Sequence, residues 1–147
     1  MPSLSEDEEF MKRSGVWLVA VLVAATVATA GGQANAQKKY DAGASDTAIK
    51  IGTIMPFTGP AAAYATIGHT IAAYFKKINA EGGLNGRKLN LIASDDSYNP
   101  ATTLQQARRL VEDEQVLLIF AGLGTQTNAA IRDYMNARKV PQLFVVG

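Results

Sequence analysis

From Ala48 to Gly147 the apolar residues switch repeatedly between short β-rich runs and longer stretches with three- and four-residue spacing. That alternation predicts repeated βα units around a parallel sheet. Ile49 to Met55 reads as the first strand, and Pro56, Gly59 and Pro60 punctuate the loop after it. A helix follows, with Ile67, Ile71, Tyr74, Phe75 and Ile78 spaced to put one face on the sheet. Gly82-Gly83 suits its C-terminus, and Asn85-Gly86 gives a tight turn into a second strand over Lys88 to Ser94. Asn99-Pro100 opens the next helix as N-cap and first helical residue, and Leu104, Leu110 and Val111 continue it. Val116 to Phe120 is a continuous apolar run, as in a strand buried on both faces. Gly122 and Gly124 lead into a helix from about Thr127 to Arg138, with Ile131, Tyr134 and Met135 inward, and Gln142 to Val146 is a fourth strand. The expected fold class is therefore α/β, a parallel sheet with helices on both faces.

Residues 1–36 have a different character. Lys12 and Arg13 precede an apolar run from Val16 to Ala28, and small residues continue through Ala36, which is the layout of a secretory signal peptide. The run is short for a membrane span of about 20 residues, which disfavours the alternative of a retained anchor. Of two small-x-small sites, Ala28-Thr29-Ala30 and Ala34-Asn35-Ala36, cleavage after Ala36 is the expected one. Glu6, Asp7, Glu8 and Glu9 place negative charge where export signals are positive, so Met11 is the expected true start. Residues 37–47 are small and polar and predict a flexible lead-in that adds nothing to the core.

Composition narrows the partners. Of 147 residues, 48% are hydrophobic and the formal net charge is +1, which fits one globular unit rather than a disordered chain. Acidic and basic residues are interspersed after residue 37, so no one-signed field exists to hold nucleic acid or an anionic membrane surface. With no cysteine, the chain has no disulfide, thiolate metal site, cysteine nucleophile or lipoprotein acylation site.

In an open parallel sheet, ligands sit beyond the C-terminal ends of the strands. The loops there are 56–64, 95–99 and 121–128. The third, with Gly122, Gly124, Thr125, Gln126 and Thr127, brings small residues, hydroxyls and amides to a helix N-terminus, a setting that attracts carboxylates. The plainer reading is that Thr125 or Thr127 only caps the helix. A dinucleotide site is disfavoured, because Thr127 stands where the third glycine of G-x-G-x-x-G belongs and no Walker-type lysine is present.

Asp95 and Asp96 are adjacent, and neighbouring strand residues point to opposite faces. They are expected not to converge on one atom, with Asp96 binding loop amides and Asp95 solvated. His69, the single histidine, lies on the first helix without metal or triad partners at suitable spacing, so a solvent-facing or capping role is expected. No hydrolytic constellation, metal site or cofactor is called for. Tyr64 and Tyr98 stand nearest the strand ends and are candidates to wall a pocket, with core packing the alternative for each.

Over residues 48–147 three stretches taken together resemble the N-terminal lobe of type I periplasmic binding proteins of the leucine/isoleucine/valine transport family: IKIGTIMPFTGPAAAYATIG, INAEGGLNGRKLNLIASDDSYNP, and FAGLGTQTN with KVPQLFVVG. The resemblance implies the substrate-binding component of an ABC transporter, a two-lobed receptor in the periplasm, monomeric at full length. It would close on a small amino acid or related carboxylate and deliver it to an ABC permease. Tyr64 matches the residue that walls the pocket, and Thr125 the hydroxyl residue that receives the carboxylate. Members that bind branched-chain amino acids often bridge the second and third loops with a cysteine pair, where this chain has Tyr98 and Gly124. The GLGTQTN form resembles a subgroup whose ligands extend beyond leucine-like amino acids. The chain is expected to be a partial first lobe, its fourth strand lacking a covering helix, and hence a weak binder of poor solubility by itself. A ligand-sensing regulatory domain on the same fold is the first alternative. A small doubly wound nucleotide-binding enzyme is the second.

Overall fold

The computed structural model describes residues 39–147, so the expected signal peptide, cleavage site and start residue lie outside the described residues. Four strands and three helices alternate: β1 (Ala48–Met55), α1 (Ala65–Ala80), β2 (Lys88–Asp95), α2 (Pro100–Glu112), β3 (Leu118–Phe120), α3 (Thr125–Arg138) and β4 (Gln142–Leu143). A short 3-10 turn over Ala62–Tyr64 runs directly into α1.

All strand pairs are parallel, in the order β2-β1-β3-β4. β1 pairs β2 along its full length, from Ala48 opposite Lys88 to Met55 opposite Asp95. On its other side β1 meets β3 through Ile51 opposite Leu118 and Gly52 opposite Ile119. Because β1 is followed by β2 on one side and β3 on the other, the chain reverses its direction of travel across the sheet between β1 and β3. That switch point is where open α/β sheets leave a crevice at their C-terminal ends.

Alternation along β1 separates the two faces. Ile54 joins Ala107 and Leu110 of α2, Ile131 and Met135 of α3, and Val116 and Ile119 in one buried cluster. Ile51 joins Phe75 of α1 and Leu89 on the other face, with Ile71, Ile78 and Phe120 packed around them. Each large aliphatic fully buried in this way stabilises the fold by roughly 1.5–3 kcal/mol. Gly52 lets α2 approach closely, since a Cβ there would stand 2.8 Å from Ile119 Cδ1 and 3.1 Å from Leu110 Cδ1.

Several boundaries differ from the sequence expectation. Tyr74, expected on the sheet-facing side of α1, is 59% exposed, because Ile71, Phe75 and Ile78 already fill that face. β3 starts at Leu118 rather than Val116; the Val116 amide donates to Leu110 O at 3.0 Å, which ties it to the end of α2 instead of to a neighbouring strand. α3 starts at Thr125, not Thr127. β4 is shorter than expected, because Phe144 takes φ 54°, outside the extended region, and pairing resumes only at a single parallel bridge between Leu123 and Val146.

Over residues 39–47 the lead-in, expected to add nothing to the core, is hydrogen-bonded to the edge of the domain. Ala44 bridges Ile49 antiparallel, and Gly43 O accepts from Lys50 N at 2.7 Å. Gly43 lies so close to the start of β3 that a Cβ on it would stand 2.2 Å from Leu117 N.

Candidate functional site

The three loops beyond β1, β2 and β3 meet at one end of the sheet, but they do different things. In the loop after β2, both carboxylates are engaged. Asp96 is fully buried, accepting from Tyr98 N at 2.9 Å and from Thr103 Oγ1 at 2.7 Å. This agrees with its expected role toward loop amides. Asp95, expected to be merely solvated, accepts from Ser97 N, Thr58 N and Thr58 Oγ1, and Thr58 Oγ1 lies 2.7 Å from Ser97 Oγ. The reason is that β1 and β2 end level with each other, which brings Thr58 across to Asp95. Burial alone would raise the Asp95 pKa, but the hydrogen bonds from the Thr58 side chain and from the Ser97, Thr58 and Phe57 amides outweigh it, so the net shift is downward. Both carboxylates thus help to hold the loop after β2.

The turn these carboxylates hold is strained. Ser97 and Tyr98 are consecutive non-glycine residues with φ 49° and 60°. Beyond them Asn99 caps α2 in the expected manner, accepting from Ala101 N and Thr102 N.

The loop after β3 is built from small residues and backbone. Gly124 is the N-cap residue of α3 at φ 103°, with no side-chain cap and no acidic residue in the first turn. The partial positive charge of that helix end therefore faces whatever lies beyond the loop. Thr127, expected among the ligand contacts, is 1% exposed, and its hydroxyl donates to Leu123 O and Gly124 O. Asn128 adds to the same scaffold, its side-chain amide donating to Gly122 O at 2.9 Å and Gly124 O at 2.8 Å. Because α3 begins at Thr125, Thr127 falls on the inner side of the first turn, where its hydroxyl stabilises the loop rather than facing the groove. Thr125 and Gln126 are exposed.

Between these loops is a groove of about 240 Å³, lined by Tyr64, Tyr98, Leu123, Gly124, Thr125, Val146 and Gly147. It brings together Tyr64, Tyr98, Gly124 and Thr125 from the expected set, and leaves out Gln126 and Thr127. Leu123 and Val146 were not expected as lining residues; the signal that would have found them is their register, since the bridge between them carries the sheet to the rim of the groove. Neither Tyr64 nor Tyr98 has a hydrogen-bond partner for its hydroxyl among the described residues. His69 is exposed on α1, its ring 5.3 Å from that of Phe57 and away from the groove.

A larger hollow of about 480 Å³ lies at the opposite end of the strands, between Asp41, Val116, Leu118, Arg138, Lys139 and Pro141. It is at the wrong end of a parallel sheet for a ligand site of this fold class. Among the described residues no helix is long and apolar enough to cross a membrane.

Comparison with known proteins agrees with this geometry. The family described as periplasmic binding protein matches residues 48–147. A curated relative, the Leu/Ile/Val-binding protein homolog 7 of Brucella abortus, is 33% identical over 96 residues, which are 63% of this chain and 23% of that protein. A possible leucine/isoleucine/valine-binding protein from Rhodopirellula baltica superposes with a TM-score of 0.61 at 31% identity, covering 71% of this chain and 28% of that one. The substrate-binding protein of the branched-chain amino acid transporter of Streptococcus pneumoniae, solved with isoleucine, also superposes with a TM-score of 0.61, at 26% identity over 65% of this chain and 28% of that one. The matched stretch thus spans only 19 to 23% of the curated relatives' length. With a family match over residues 48–147 and a parallel sheet whose switch point opens on a small-residue groove, the chain belongs to the periplasmic binding protein family.

Proposed function

We propose that residues 48–147 form one wall of the ligand cleft of a transport receptor, taking a small amino acid of the branched-chain type or a related small carboxylate. The observation that carries this reading is the groove at the uncapped start of α3, where Gly124 and Thr125 line a hollow bounded by Tyr64. The ligand carboxylate sits against the Thr125 hydroxyl and the first-turn amides, and the Tyr64 ring, 57% exposed, covers the apolar body. Gln126 is exposed on the first turn of α3 and does not line the groove.

A second lobe closing over this wall raises affinity by removing both partners' surfaces from water. The S. pneumoniae relative, solved with isoleucine, supports an amino acid as ligand. The receptor reaches the periplasm by way of the N-terminal segment, with residues 1–36 as its signal peptide, and hands its ligand to an ABC permease. It performs no chemistry on the ligand.

The test is a titration of the chain with leucine, isoleucine, valine and isovalerate, followed by amide chemical shifts. Shifts centred on Gly124, Thr125 and Tyr64 that saturate only at millimolar ligand are expected for a single wall. Shifts centred on Asp41 and Lys139, or none at Thr125 with any carboxylate, would remove the reading.

A further inference from the structure

Three features of Tyr98 set it apart from a residue that merely fills space. Its backbone is held in the left-handed region, next to Ser97 in the same region, and the two amides are anchored on Asp96 and Asp95. A strained turn of this kind persists only where surrounding contacts determine it. Its ring takes the place of a side chain on Gly124: a Cβ there would stand 2.6 Å from Tyr98 Cε2 and 3.1 Å from Cζ. Its hydroxyl, bonded to that Cζ, has no partner among the described residues, while the residue as a whole is 38% exposed and lines the groove with Thr125.

The two loops are therefore fitted to each other. The carboxylates after β2 orient Tyr98, and the glycine after β3 leaves the space its ring needs. The consequence is a phenol that lines the same groove as Thr125 and Tyr64.

We propose that Tyr98 is a specificity-determining contact whose hydroxyl donates a hydrogen bond to the ligand's carboxylate alongside Thr125, an assignment that rests on the carboxylate reading of the groove. A donor to a charged acceptor distinguishes a carboxylate from its amide, because the interaction with the ionised group is about twice as strong. The ring also fills volume beside Gly124, so the groove favours compact acids over ones with a bulky group on that side.

The experiment uses the chain with tyrosine labelled at 13Cζ, titrated with isovalerate and with isovaleramide, in wild type, Y98F and T125V. In the wild type, isovalerate is expected to move the Tyr98 13Cζ resonance and the Thr125 amide together. Y98F keeps the ring, so its melting temperature is expected to stay put while its isovalerate affinity falls about tenfold and isovaleramide affinity changes little. If Y98F binds isovalerate like the wild type while T125V weakens it, the Tyr98 contact is overturned and the carboxylate reading stands. If Y98F weakens acid and amide equally, the ring acts and the hydroxyl does not, which also overturns the assignment. If neither variant alters isovalerate binding, or isovalerate leaves Thr125 unmoved, both readings fall.

Discussion

The loop after β2 and the loop after β3 stand side by side at the same end of the sheet, yet they divide the work in opposite ways. The first holds the charged residues, and the protein uses both of them internally: Asp96 on Tyr98 and Thr103, Asp95 on Ser97 and Thr58. The second has no charged side chain from Ala121 to Asn128, and it is the one that leaves a helix end and a hydroxyl facing outward. Charge in the sequence therefore marks the scaffold here, and the groove side is marked by glycine and threonine. The division suits the carboxylate ligand proposed above, which a loop with free carboxylates would repel.

The sharpest way to break the comparison is Asp96→Ala. Removing a buried acceptor strands the Tyr98 amide and frees a threonine hydroxyl, so a loss of about 3 kcal/mol in urea unfolding is expected. A loss below about 1 kcal/mol would mean that the loop is not held as described. Gly124→Ala comes next, at about 2 kcal/mol, since φ 103° strains any side chain and the new methyl meets Tyr98 and Thr127. It should also abolish the Tyr98 response to isovalerate.

The two helix caps sharpen the contrast at smaller scale. Asn99→Ala removes a cap with two amide contacts and should cost about 1 kcal/mol. Thr125→Val, at the start of a helix with no side-chain cap, should stay within about 0.5 kcal/mol of the parent while weakening carboxylate binding. A Thr125→Val variant that melts much earlier would return Thr125 to an ordinary capping role.

The smallest effect is a pH effect. The folded-state pKa of Asp95 is lowered from 3.8, so its contribution is fully present above that value and is lost as pH falls through the lower folded value. Asp95→Asn should therefore be less stable than the parent at neutral pH, with the gap narrowing below pH 3.8. A gap that is the same at low and neutral pH would show that the Asp95 charge is not what Thr58 and Ser97 hold.

Much of the scaffold was legible in the sequence, and for clear reasons. Strand and helix periods of β1, α1, β2 and α2 are strong because each buries one face and is bounded by Pro, Gly or Asn. The order of motifs carried the family as well. What was harder lies where tertiary contacts override local pattern. Val146 reads as the last residue of a continuous strand, but Phe144 leaves the extended region and only the bridge to Leu123 brings Val146 back, on the groove. Thr127 and Thr125 look equivalent in sequence, and a two-residue shift in where α3 begins sends one hydroxyl inward and leaves the other exposed. The Asp95 contact with Thr58, at a sequence separation of 37, depends on the chain between them folding so that two strands end level, which no local period reports.

β1 is hydrogen-bonded to β2 on one side and to β3 on the other, while β4 is joined to β3 alone by two residue pairs. That difference sets two clocks in one sheet. The amide protons of Ile51 and Gly52 can reach solvent only when the whole domain opens, so their exchange should track global stability. Those of Gln142 and Leu143 can exchange by fraying at the edge, many times faster. Near Val146, whose amide donates to Gly122 O and whose carbonyl accepts from Gly124 N, the chain is tied back to the loop after β3, so the border of the groove should exchange more slowly than the two edge residues before it.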